Sequence, residues 1–182
     1  MPSEKFELTY ASMFNPPESL HTNYQDAMQD VRSRFGQTYG HFINGQDHFS
    51  SQTFEKRSPI NQEWVLGHFQ QGNEKDAQFA LESAQEAFKV WGRMPWQERI
   101  ALLRKAASLI DERIYTIASV ITLEVGKNRM EALGDIAEAA ALIRYACDQV
   151  EKNNGYVMTM GKDPLPGFDV DNVSHMRPYG VW

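Results

Sequence analysis

The stretch Leu123–Tyr145, LEVGKNRMEALGDIAEAAALIRY, holds a helix stop and a helix start in close succession. Gly126 supplies the C-terminal stop of one helix, since glycine adopts the left-handed conformation that closes a helix without steric cost. A second helix is predicted from about Asn128 to Lys152. Along it Ala132, Ile136, Ala139, Ile143, Ala146 and Val150 recur on one face, and Ala137, Ala140 and Ala141 widen that face. Small side chains on several sides allow close approach of other elements, so burial on more than one side is expected.

Glu138 sits among these alanines. Its one-turn neighbours are Gly134, Asp135, Ala141 and Leu142, and two turns away stand Glu131 and Tyr145. None is basic, so an i,i+4 ion pair cannot satisfy the carboxylate. A buried acid without a partner costs roughly several kcal/mol. Two readings follow from the residues. In the structural one, this face is solvated or an arginine from another element pairs with Glu138; in the functional one, Glu138 faces a cleft and receives a cationic group of a ligand.

Upstream, Asn73 is a good N-cap and Asp76 suits the positive start of a helix. Ala77, Ala80, Leu81, Ala84, Ala87, Phe88 and Trp91 then form one apolar stripe. Pro95 fits the first position of the next helix, whose stripe is Trp96, Ile100, Leu103, Ala107 and Ile110. After a break near Asp111, the pattern continues through Ile114, Ile117, Ala118 and Ile121 to Gly126. Before this block, Tyr24, Ala27, Met28, Val31 and Phe35 predict a helix from about Thr22, ended by Gly36. Residues 1–20 read as an irregular arm closed by Pro16-Pro17.

Between these helices, Asn44-Gly45 between short strand-like runs is a hairpin signal. With strands at Thr53–Arg57 and Trp64–Phe69, Tyr39–Gln71 is expected to form a small antiparallel patch. Downstream, Asn153-Asn154-Gly155 ends the long helix, and Tyr156–Met160 and Val173–Trp182 read as extended runs joined by the loop Gly161–Asp171. Pro164 and Pro166 block helix in that loop.

Composition narrows the function classes. The 182 residues carry a net charge of −6, which offers no broad basic field to nucleic acid or an acidic membrane. The single cysteine, Cys147, excludes an internal disulfide framework and suits a reducing compartment. Met1–Tyr10 has no apolar signal region, so a soluble, cytoplasmic protein is expected. Asn172-Val173-Ser174 matches a glycosylation sequon by chance in that setting.

Recognisable catalytic motifs are few. No G-x-G-x-x-G follows a strand, and Gly126-Lys127-Asn128 lacks the remainder of a phosphate loop. The histidines His21, His41, His48, His68 and His175 are scattered; His41 and His48 could meet across the hairpin, but two ligands do not make a zinc site. Cys147, on the apolar side of the long helix with Ala146 and Val150, reads as a packed thiol rather than a nucleophile. Arg144 is its one nearby cation and has Asp148 four residues on as a helix partner.

Glu124-Val125-Gly126-Lys127-Asn128, with Glu131-Ala132 and Asp135-Ile136-Ala137-Glu138-Ala139 after it, resembles the N-terminal part of aldehyde dehydrogenases. The nearest likeness is to 1-pyrroline-5-carboxylate (glutamate semialdehyde) dehydrogenases. Phe35–Tyr39 leading into Phe42-Ile43-Asn44-Gly45 is similar to that subfamily's start, and Ala84–Trp91 with Pro95 and Glu98-Arg99 is similar to the superfamily's first helix pair. Arg177-Pro178-Tyr179-Gly180-Val181-Trp182 resembles the strand just before the family's Pro-[Phe/Trp]-Asn-Phe-Pro segment, so more protein is expected after it. The resemblance covers most of Phe35–Trp182.

It implies an α/β fold: the N-terminal portion of an aldehyde dehydrogenase, without the complete Rossmann-like and catalytic domains. The implied organisation is an arm and helix over residues 1–35, a strand patch plus helical block over 36–155, and strands feeding the oligomerisation flap over 156–182. It further implies NAD(P)-dependent oxidation of an aldehyde to an acid, by cysteine attack, hydride transfer to nicotinamide and release by a glutamate-activated water. In the family's order all those groups lie beyond Trp182. No catalytic, cofactor-binding or metal-ligating residue is therefore expected here, Cys147 does not match the nucleophile, and the chain alone should be inactive.

The residue that carries over is Glu138, which resembles the subfamily glutamate that helps seat the aldehyde. An unpaired carboxylate suits the α-ammonium of glutamate semialdehyde. The sequence departs from the subfamily at Gly134 and at Ala140-Ala141-Leu142, which leaves another aldehyde as the alternative substrate. The expected partners are the small aldehyde, a second copy, or the C-terminal part of the enzyme. The rival reading is a non-enzymatic truncated paralogue that acts as an interaction or oligomerisation module.

Overall fold

The computed structural model describes residues 14–167 and 169–182; the arm expected over residues 1–20 lies mostly outside them. Helix α1, Glu18–Ser33, starts four residues earlier than its apolar spacing suggests, because Pro17 is already extended and acts as the N-cap. Its Leu20 and Tyr24 are buried against α4, Ile114–Val125, and α5, Arg129–Lys152, with Ala118, Ala132, Leu133 and Ile136. The Tyr24 hydroxyl donates to Thr122 Oγ1 at 2.6 Å, so the one polar atom of that buried ring is satisfied.

The strand region differs from the antiparallel patch expected from sequence. Strands β2, His41–Ile43, and β3, Gln46–His48, form a separate hairpin. Asn44 and Gly45 have φ of 53° and 76°, the two positive values that a tight Asn-Gly hairpin turn demands. The other sheet has the order β1-β5-β4, from β1, Thr38–Tyr39, β5, Val65–Gln70, and β4, Thr53–Arg57. Here β4 pairs antiparallel with β5, but β1 runs parallel to it. A two-residue strand has too little pattern to reveal its direction, and the intervening hairpin supplies the crossover length that parallel pairing requires.

The helical block follows the sequence closely at its ends. Helix α2, Glu74–Trp91, begins with Asn73 and Asp76 in a reciprocal capping box. Pro95 precedes α3, Trp96–Glu112, and α4 follows after Arg113. Gly126 closes α4 with φ of 80°, and Asn128 caps α5 by accepting from the Glu131 N–H at 3.0 Å. A 3₁₀ turn, Asn154–Tyr156, leads into β6, Val157–Thr159, which pairs antiparallel with β7, Val173–His175. No helix among the described residues is long and apolar enough to cross a membrane.

Two apolar stripes find different fates. On α3, Ile100 and Ala107 are buried against α5, whose Cys147 is also fully buried. On α2 nothing is buried: Leu81 and Trp91 keep 41% and 37% of their surface exposed. That stripe has core character but no layer over it among the described residues.

Candidate functional site

Helix α5 is buried on one side, not on several. Ala132, Leu133, Ile136, Ala140 and Cys147 occupy a single arc facing α3 and α4, whereas Ala139 and Ala146 are exposed. The helical repeat of 3.6 residues puts Glu138 roughly opposite that arc. Glu138 is accordingly exposed, flanked by Gly134, Ala141, Leu142 and Tyr145, with Leu142 and Tyr145 at 58% and 63% exposure. Periodicity suggests an acid on a buried helix; the wide alanine pattern instead marks a face left open among the described residues.

The cations near this face are engaged elsewhere. Lys127 pairs with Asp135, and Arg144 pairs with Asp111 at 2.6 Å rather than with Asp148. Asp148 and Glu151 both accept from Arg104, at 2.6 and 2.7 Å, tying α5 to α3 and holding the guanidinium further above its already high pKa, Glu151 contributing most. The Asp135 hydrogen bond likewise raises the pKa of Lys127 above its ordinary 10.5. This pair therefore contributes fully below that value and is lost only as pH rises through the raised one. Glu138 itself enters no ion pair or hydrogen bond among the described residues. The result is a carboxylate beside small and apolar residues on one flank and the Lys127–Asp135 pair on the other, with no cationic partner of its own among the described residues.

Gly134, one turn before Glu138, has ordinary helical geometry, and a methyl group added there would meet nothing within 4 Å. Gly134→Ala is therefore expected to stabilise the chain by about 0.5–1 kcal/mol, the ordinary helix-interior gain. Chemical denaturation reads it; a loss of stability would mean that this face is covered within the chain.

The remaining candidates carry less. Cys147 lies fully buried, its Sγ 3.7 Å from the Ile100 carbonyl, in the manner of a packed thiol. His41 and His48 are register partners in the hairpin, but His48 Nε2 lies 3.2 Å from the Ile43 carbonyl and its ring packs edge-on against Phe79. No group of three or more possible metal ligands occurs among the described residues. An apolar cleft of about 350 Å³ lies between α1, α4 and the three-stranded sheet, with the Lys56–Glu124 pair at 3.6 Å on its wall. Periodicity carries no sign of it, because its lining comes from five separate elements. Glu138 is not among its residues.

Comparison with known proteins places this geometry. The profile of the aldehyde dehydrogenase family matches residues 46–182. An aldehyde dehydrogenase-like protein of Schizosaccharomyces pombe is 35% identical over 130 residues, covering 71% of this chain and 26% of its own length. A 1-pyrroline-5-carboxylate dehydrogenase of Staphylococcus saprophyticus is 32% identical over 123 residues, covering 68% of this chain and 24% of its own. The structure of the Thermus 1-pyrroline-5-carboxylate dehydrogenase with bound NAD superposes with a TM-score of 0.78 at 29% identity, over 94% of this chain and 33% of that one. The chain thus spans about a quarter of the length of these curated relatives and a third of the solved structure. The fold is a partial one, and among the described residues the apolar face of α2 and the Glu138 face of α5 are uncovered. The chain belongs to the aldehyde dehydrogenase family.

Proposed function

We propose that this chain is the N-terminal segment of an enzyme that oxidises glutamate 5-semialdehyde to the acid with NAD or NADP, and that Glu138 anchors the substrate ammonium. The observation that carries this reading is the state of Glu138: exposed, without a cationic partner, and set in the surface Gly134, Ala141, Leu142 and Tyr145. Small neighbours admit a ligand close to the helix, and a carboxylate–ammonium contact there would be a charge-assisted hydrogen bond. The 1-pyrroline-5-carboxylate dehydrogenases among its relatives support the substrate class.

The segment itself supplies no redox chemistry. The strand–glycine turn–helix unit formed by β5, Gly72 and α2 has a single glycine and lacks the dinucleotide fingerprint, and Cys147 is enclosed by its own helix pair. In the complete enzyme NAD or NADP would supply the hydride acceptor; the role of this chain is to seat and orient the aldehyde. The purified 182-residue chain, given glutamate semialdehyde and NAD, is expected to form no NADH. Turnover above the uncatalysed background would overturn the segment role.

The bare stripe of α2 also favours association, either with the remaining aldehyde dehydrogenase layers or with a partner chain. The second case is the interaction-module reading, in which Glu138 has no effect on aldehyde selectivity in any assembled form.

A further inference from the structure

Away from the Glu138 face of α5, the turn between α2 and α3, the hairpin β6–β7 and the residues just after β7 flank an open cleft of about 600 Å³. Among the described residues its walls carry Lys89, Arg93, Arg99, His175 and Arg177 and no carboxylate. This is a local inversion of sign in a chain whose net charge is −6. Such one-signed clefts between low-dielectric walls focus their field on a counter-ion.

The individual side chains divide into fixed and free. Lys89 is paired with Glu86, outside the cleft, and Arg99 donates to the Met94 carbonyl, which holds it against the turn. Arg93 and Arg177 enter no ion pair or side-chain hydrogen bond among the described residues. They come from elements more than eighty residues apart, so helix periodicity does not bring them together.

The walls are also shaped by two close approaches. A methyl group on Gly92 would lie 2.9 Å from the Phe88 ring, and one on Gly155 would lie 2.2 Å from the Trp96 ring. Each glycine lines the cleft and lets backbone lie directly on an aromatic side chain. The space is therefore bounded by packed groups on two sides rather than by mobile side chains alone.

We propose that this cleft binds a multivalent phosphate-class oxyanion of a small phosphorylated metabolite, held by Arg93 and Arg177. Guanidinium groups match phosphate oxygens in pairs, and the two unpaired guanidiniums of Arg93 and Arg177 exceed what one carboxylate would neutralise. The site is separate from Glu138 and stands or falls independently of the aldehyde reading.

Inorganic pyrophosphate is the probe, titrated calorimetrically into the full 182-residue chain. Saturable one-site binding is expected at about 20 mM salt, weakened markedly at about 200 mM as the Debye length shortens. The double variant Arg93→Gln/Arg177→Gln is expected to bind about tenfold or more weakly with its melting temperature unchanged, whereas Arg34→Gln, outside the cleft, binds as the parent does. Should the double variant fail to fold, the Trp96 indole N–H resonance of the unmodified chain gives the reading. A saturating shift with pyrophosphate and none with sodium chloride of equal ionic strength supports the site. Absence of saturable binding to the parent, equal binding by a folded double variant, or an unmoved indole resonance overturns it.

Discussion

Leu133→Ala is expected to cost the chain about 2–5 kcal/mol, the range for emptying a leucine site in a packed core. Leu133 keeps only 1% of its surface exposed and lies in the cluster where α1, α4 and α5 meet. The cavity could not collapse easily, because its neighbours Ala118 and Ala132 are themselves fully buried small residues on rigid helices. Leu142→Ala, two and a half turns along the same helix but 58% exposed, is expected to change stability by less than about 0.5 kcal/mol. Urea denaturation of both variants separates the buried from the open side of α5. Similar losses for the two would mean that the helix is covered on both sides.

Gly155→Ala is the second large effect. Gly155 has φ of 68°, a conformation that costs an alanine about 1 kcal/mol. Its added methyl would also stand 2.2 Å from Cδ1 of Trp96, so the indole or the 3₁₀ turn must move. Overpacking of that kind typically costs a further 1–3 kcal/mol, for a total of about 2–4 kcal/mol. Gly126→Ala isolates the backbone contribution: φ is 80°, but the new methyl meets Pro59 at an ordinary 3.6 Å, and only about 1 kcal/mol should be lost. Thermal melting of the pair checks the difference. Equal losses would place the whole effect in backbone conformation and none in the Trp96 contact.

How far the sequence reaches depends on whether a signal is local. Asn73, Asn128, Gly126 and the Asn44-Gly45 turn act through their own backbone and immediate neighbours, and the observed helix and hairpin ends follow them. The direction of β1 is not legible, since two residues cannot encode whether a distant strand runs parallel. The ion pairs of α5 escape the sequence for a related reason. Arg144 has Asp148 within reach along α5 but turns to Asp111 on α3, and Asp148 goes to Arg104. Periodicity sees only the helix's own neighbours.

The candidate site shows both sides of that limit. The absence of a basic partner for Glu138 within α5 is readable from spacing, and the three-dimensional arrangement supplies none among the described residues either. Its exposure is not readable, because alanine is compatible with a buried interface and with a face awaiting one. The α2 stripe has the same ambiguity: an apolar pattern records that a surface is made to be covered, not which chain or segment covers it.

The most direct test of Glu138 as substrate anchor uses a chimera in which residues 46–182 replace the matching segment of the Thermus 1-pyrroline-5-carboxylate dehydrogenase. The measurement is the ratio of kcat/KM for glutamate semialdehyde to that for an unsubstituted aliphatic aldehyde, before and after Glu138→Ala. Hydrogen bonds to charged groups contribute about 1.5–3 kcal/mol, so the ratio is expected to fall by about 10–100-fold, with the aliphatic aldehyde little affected. An unchanged ratio in an active chimera would contradict the account.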